Sequence, residues 1–353
     1  MPRKYVVDDD EVGVYHCINR CVRRAFLCGT DSITGQCFDH RKQWIQDRME
    51  FLAGQFGIDV LGFAVMSNHL HVVLRNRPDV VTAWSDDEVA RRWWMLFPQK
   101  RDQDGAPAEP GASDLAMITS DGERLAEVRK RLSNLGWFMR CLAEPIARMS
   151  NREDECTGRF WEGRYKCQPL LDEAALTACM AYVDLNPIRA SIAKTPESSQ
   201  FTSAFERLQG EKGPAVSGQR QGNVAGRRGV RGAWLSPVEL AESHAAESGP
   251  VPSGRASNRG CLAMSQSEYL RLLDWSGRVL RHGKRGAIPS SLPPVFERLG
   301  MSEDGWLKLV KDFGRLFGRA AGSPSSLAQE ATRREQTWLQ GLQKSREVFT
   351  NSV

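Results

Sequence analysis

Apolar residues fall in two rhythms along the first two hundred positions. Val12, Val14, His16 and Ile18 alternate with their neighbours, and this period of two predicts a strand over 12–20. Trp44, Ile45, Met49, Leu52 and Phe56 recur near helical spacing, which predicts a helix over 40–55 stopped at Gly57. Two further strands are expected, Ile58 to Val65 and His69 to Arg75, joined as a hairpin by Met66-Ser67-Asn68. Helices are expected over 84–97, starting after Ser85, and over 125–148. Another is expected over 172–185, with Asp172 as N-cap and Asn186-Pro187 as its stop.

Between and beyond these elements the pattern loosens. Residues 102–122 are rich in Gly, Ala, Pro and Asp and read as an exposed insertion. Residues 211–233 combine glycines with lysines and arginines, and 206–260 as a whole reads as a flexible basic linker. Helical spacing returns near 261. Ser265-Gln266-Ser267-Glu268 is a capping-box pattern ahead of Tyr269, Leu270, Leu272, Leu273 and Trp275, and two more helices are expected over 302–318 and 324–345. The expected organisation is a domain over 1–205, the linker, and a separate helical accessory domain over 261–353. Its independence follows from the linker, since so flexible a segment transmits little geometry. The accessory domain would then assist the first domain without taking part in its chemistry.

Composition narrows the class. The chain has 353 residues, enough for about two domains. Its 41% apolar content, with ten Trp and fourteen Phe, excludes disorder throughout. Charged residues make up 26% and no segment is a candidate membrane span, so a soluble protein with no membrane partner is expected. Lys and Arg exceed Asp and Glu by five, which permits an anionic partner without demanding one. Nine scattered cysteines, an odd number with no CxxC pair in a chain this large, argue against a secreted disulfide scaffold, and the first residues form no apolar signal core. A reduced, cytoplasmic protein is expected.

Three local features carry candidate chemistry. In Asn68-His69-Leu70-His71, strand geometry puts both imidazoles on one face with Leu70 turned inward. That suits two metal ligands, or equally two polar residues on a solvated face. Tyr182 and Asn186 are four apart and share a helix face. A phenol oxygen can attack phosphorus, and an amide oxygen can bind a hard cation. They could equally be a half-buried core tyrosine and a helix C-cap. In Gly158-Arg159-Phe160-Trp161-Glu162-Gly163-Arg164-Tyr165-Lys166, basic residues alternate with aromatic ones. Arg159, Arg164 and Lys166 suit phosphates, and Trp161 suits a base face or an anchor in the core. Arg20, Arg23 and Arg24 follow the first strand and could join the same anionic path.

Read in order, these features resemble a known family. Tyr15-His16-Cys17-Ile18-Asn19-Arg20, the His69-Leu70-His71 strand, the Gly-Arg-Phe-Trp-Glu-Gly-Arg segment and Tyr182-x-x-x-Asn186-Pro187-x-Arg189-Ala190 resemble the single-tyrosine HUH transposases of bacteria. These are the insertion-sequence-200-like family, and the likeness is greatest to its REP-associated tyrosine transposase branch, over about residues 12–195. The resemblance implies an α+β fold: a ferredoxin-like or RRM-like antiparallel sheet with helices on one face (the HUH nuclease fold), followed here by a C-terminal helical extension. It implies His69 and His71 as ligands of Mg²⁺ or Mn²⁺, with Asn186 as the third ligand where transposon-borne relatives often have Gln. It implies Tyr182 as nucleophile, and Arg189 beside the other basic residues as a DNA contact.

The implied activity is cleavage and rejoining of single-stranded or hairpin DNA through a 5′-phosphotyrosine, by a monomer or homodimer. Bond energy is conserved in such an exchange, so no nucleotide cofactor is required, in keeping with the absence of a GxxxxGK[ST] loop. Two other readings stand beside it: a metal-dependent nuclease that activates water, and a non-catalytic nucleic-acid-binding regulator on the same fold. The insertion and the long extension distinguish this chain from the short members of the family.

Overall fold

The computed structural model describes residues 6–22, 27–30, 35–211, 231–240, 251, 254–282 and 289–349. Arg23 and Arg24, and positions 212–230, 241–250 and 252–253 of the expected linker, lie outside these residues.

Four strands form one antiparallel sheet: β1 (Val14–Arg20), β2 (Ile58–Val65), β3 (His69–Asn76) and β4 (Lys166–Pro169). Their spatial order is β2-β3-β1-β4, the ferredoxin-like order, so the α+β expectation holds. The hairpin is where the turn residues placed it, with Met66 N donating to His69 O at 2.9 Å.

Strand alternation sorts the side chains into two cores. Tyr15, Cys17, Leu70, Val72 and Leu74 face α1 (His40–Ala53) and the apolar side of a later helix, Leu135–Glu153, through Ile45, Met49, Leu52, Phe138, Leu142 and Ile146. Val14 and Val73 face the opposite core, which holds the helix Glu173–Asp184.

Between β3 and β4 the chain forms α2 (Pro78–Ala83), α3 (Asp86–Leu96), α4 (Ala112–Thr119), α5 (Gly122–Leu132) and α6 (Leu135–Glu153). The single helix expected over 125–148 is therefore two helices. Asn134 breaks it and caps α6, its Oδ1 accepting from Trp137 N at 3.0 Å. The insertion is not wholly exposed either. It contains α4, whose Ile118 is buried in the core shared with Val128 and Leu132.

After β4 come α7 (Glu173–Asp184), α8 (Asn186–Arg189), α9 (Ser203–Glu211), α10 (Gln266–His282), α11 (Pro293–Arg298), α12 (Glu303–Leu316), α13 (Pro324–Arg333) and α14 (Leu342–Arg346). The expected accessory domain is not packed as a separate unit. Leu272, Leu273, Trp306, Leu309 and Phe313 share one core with Ala178, Met180, Val183 and Leu185 of α7 and α8's approach. The physical reason lies in α7, which is apolar on every side: Ala174 to Ala181 are all buried. A helix of that kind needs cover beyond the sheet, and the C-terminal helices supply it.

The extension also docks along β4. Ala321 N donates to Pro169 O, and Leu171 N donates to Ala321 O, both at 2.9 Å. The Asp172 carboxylate caps α7 and ties down the residue that caps α13. Its Oδ1 accepts from Ala175 N at 2.8 Å, and its Oδ2 accepts from Ser323 N at 2.6 Å. The described parts of the expected linker are likewise held, with Ser236 N on Val60 O and Arg75 on the carbonyls of Arg259 and Gly260. Among the described residues, no helix is long and apolar enough to cross a membrane.

Candidate active site

The face of the sheet under α7 carries three cross-strand rows. Arg20 lies opposite His69. Ile18 lies between His71 and Lys166, and His16 lies between Val73 and Gln168. Residues paired in this way point to the same side, so three imidazoles gather there.

The rings of His69 and His71 are 4.7 Å apart between centroids. His71 is 2% exposed, and its Nδ1 is 2.8 Å from Nε2 of His16. Its own Nε2 is buried without a partner. The half-buried His69 places Nδ1 2.6 Å from Oδ1 of Asn68. Burial pushes the pKa of His69 down to about 4, and the nearby Arg20 charge adds to the effect. Burial likewise pushes His16 down to about 4, against a raising hydrogen bond with Gln168. His71 lies well below the usual imidazole range, through burial and then repulsion from His16, His69 and Arg189. All three are therefore neutral near pH 7, the form that binds metal.

Tyr182 reaches this cluster from α7. Its ring stands edge-on to His71 at 5.6 Å and to His16 at 6.2 Å. Phe313 of α12, at 5.6 Å, and the Arg189 guanidinium, 4.7 Å from the ring centroid, also pack on the ring. Arg189 is held in turn, its Nη2 donating to Lys311 O at 2.6 Å. Gly314 faces the phenol, for a Cβ at that position would lie 3.2 Å from the Tyr182 hydroxyl oxygen. Asp184, two residues on, fixes the helix by accepting from Tyr269 Oη at 2.7 Å, Ser203 Oγ at 2.5 Å and Ala204 N at 2.8 Å.

Asn186 opens α8 and is buried, with its Nδ2 unpartnered. Among the described residues, no three His, Cys, Asp or Glu side chains are arranged to hold a metal ion. His16 does not count as a third ligand because its Nε2 is already taken up by His71. A cation here would therefore take nitrogen from His69 and His71 and oxygen from a different residue type, for which the Asn186 amide is suited. The orphaned Nε2 of His71 fits that use.

The other predicted residues are spread over the neighbouring surface. Lys166 is exposed on the histidine side of β4, and Arg164 is exposed just before it. Arg20 is exposed and 3.5 Å from Glu162, and Arg159 donates to Glu162 O at 3.3 Å. Trp161 instead anchors its loop. It is half-buried, donates from Nε1 to Ala143 O at 2.9 Å and meets Phe160 edge-on at 4.9 Å.

Sequence reasoning missed His16, Gln168, Phe313 and Gly314. The signal for His16 was its position on the same strand face as Val14 and Ile18. Its neighbour His71, however, is fixed only by pairing between strands far apart in the chain.

No family model matches the chain, and no curated protein matches it. Among solved structures, the chain is similar to one described as the "REP associates tyrosine transposase bound to a REP hairpin". The similarity covers 65% of this chain and 97% of that chain, with 10% identity and a TM-score of 0.35.

Proposed function

We propose that the protein cleaves and rejoins single-stranded DNA, hairpin DNA included, with Tyr182 as the nucleophile and Mg²⁺ or Mn²⁺ held by His69, His71 and Asn186. The observation that carries this reading is the placing of the Tyr182 ring 5.6 Å from His71, whose Nε2 is buried and without a partner. It brings a phenol and an unpartnered imidazole nitrogen together on one sheet face. The ordered motifs that resemble the single-tyrosine transposases support it.

When bound, the cation would polarise the scissile phosphate and stabilise the charge that develops on it. Tyr182 Oη then forms a bond to phosphorus as the bond to the 3′ oxygen breaks. The phenol loses its proton and the leaving oxygen gains one. The number of phosphoester bonds is unchanged, so a 3′-OH can reverse the step and join strands. Arg189, over the ring, keeps the phenol from swinging away and sets a positive charge beside the incoming phosphate. Phe313, packed against both Tyr182 and His16, helps to keep water from the ring.

The test is incubation of the full chain with end-labelled hairpin DNA and Mg²⁺ or Mn²⁺, followed by a denaturing gel. A protein–DNA adduct that survives denaturation is expected. Tyr182→Phe should abolish it, and Tyr165→Phe should not. Free fragments without adduct would indicate a metal-dependent nuclease, and binding without cleavage a regulator.

A further inference from the structure

His71 can serve a cation only if its Nε2 carries a lone pair and its proton sits on Nδ1. Nothing in an isolated histidine enforces that choice. The structure contains a chain of contacts that does.

The chain begins outside the sheet. Gln168 Nε2 donates to the carbonyl of Gly318 at 2.9 Å, in the segment that follows α12. The amide orientation is thereby fixed, because the reverse would set two oxygens against each other. The Gln168 oxygen is left on the side of its cross-strand partner His16, where a hydrogen bond from the imidazole to it raises the His16 pKa against burial. An oxygen acceptor requires a proton on the His16 nitrogen that faces it. The His16 Nε2 is engaged 2.8 Å from His71, so that proton is on Nδ1. A neutral imidazole has one N–H, and His16 Nε2 is therefore a bare acceptor. It accepts a hydrogen bond from His71 Nδ1–H, and the lone pair of His71 Nε2 is left unpartnered. The opposite assignment would bury an N–H at His71 Nε2 with no acceptor.

We infer that His16 is a positioning residue that, set by Gln168 and the Gly318 carbonyl, holds His71 in the Nδ1–H tautomer and keeps its Nε2 open as a ligand. The inference rests on the proposed role of His71. It also gives the C-terminal layer a part in the chemistry, because the first link is a backbone carbonyl of that layer. Outer partners of this kind orient metal-binding histidines in general.

The experiment has two readouts on the full-length protein. The first is ¹⁵N-edited NMR of the histidine rings in the metal-free protein, with assignments from single substitutions. His71 and His16 should both show a protonated Nδ1 and a bare Nε2. A His71 protonated at Nε2 would overturn the inference. Gln168→Leu should leave both tautomers populated at His71, and an unchanged spectrum would count against the relay. The second readout is Mn²⁺ titration followed by the electron spin resonance of the free ion. His16→Ala should weaken Mn²⁺ binding by about 10–100-fold. His16→Gln, whose Oε1 can still accept from His71, should restore most of it. Equal weakening in both variants would overturn the role. If His16→Ala does not fold, the wild-type tautomer decides alone. If the wild type binds no Mn²⁺, the proposed metal site fails, and the tautomer measurement still tests the relay.

Discussion

Phe313 lies 5.6 Å from Tyr182, ring centroid to ring centroid, on a helix that belongs to the last part of the chain. The same ring stands 6.2 Å from His16. The wall of the candidate nucleophile's pocket is thus built by a segment expected to be a separate domain. Phe313 is fully buried, so Phe313→Ala should cost about 3–5 kcal/mol of stability. Urea unfolding should show the loss as one cooperative transition for the whole chain. Two transitions, with only the later helices affected, would restore the separate-domain picture.

Gly314 is one residue further along α12. Alanine there favours the helix by about 0.5–1 kcal/mol but sets a methyl group 3.2 Å from the Tyr182 oxygen. Gly314→Ala is therefore expected to melt at or slightly above the wild-type temperature while forming adduct up to about tenfold more slowly. A more stable variant with unchanged adduct kinetics would show that the phenol does not need that space.

The exposed cations should separate from the aromatic anchor in a salt titration. Replacing Arg20, Arg164 or Lys166 by Gln should each lower the slope of log affinity for single-stranded DNA against log salt by about 0.7. Trp161→Ala should leave the slope alone and lower stability by about 1–3 kcal/mol, because the ring packs in the core and its N–H is bonded to Ala143. A slope change in the Trp161 variant without loss of stability would make it a DNA contact.

The histidine cluster predicts an acid limb of stability. His16 and His69 are held down to about 4 in the folded protein against an ordinary value of 6.5. Between those values the unfolded chain binds more protons, so stability is full above about pH 6.5 and is lost as pH falls towards 4. His16→Gln removes one of these groups and should lose less stability between pH 7 and pH 4.5, measured as urea midpoints on metal-free protein. Parallel curves for the two proteins would mean that His16 is not held neutral.

The elements that place the site were largely readable. His69, Leu70 and His71 alternate, Ser67-Asn68 make a turn, and Asp172 caps the helix of Tyr182, all within short stretches of chain. What was not readable depends on long-range pairing. His16 and His71 are brought together by the β1–β3 register, which no local pattern specifies. A glycine-rich stretch argues locally for helices after residue 261 that stand apart from the sheet. The stronger evidence was the uniform apolar character of α7, which demands a second layer. In 125–148, helical periodicity runs through Ser133-Asn134, and only the capping power of Asn134 marks the break.

The bridge between Leu170 and Ala321 has a consequence for how the protein is made. On a ribosome, the tyrosine helix emerges long before the segment that seals its outer side. At about 5–20 residues per second, the gap between Asp184 and Ala321 is on the order of ten seconds. During that interval the nascent chain has its sheet and its histidines, but neither Phe313 nor the Gly318 carbonyl. A truncated or stalled product would therefore lack the finished candidate site, and the proposed DNA cleavage would arrive only once the chain had passed Ala321.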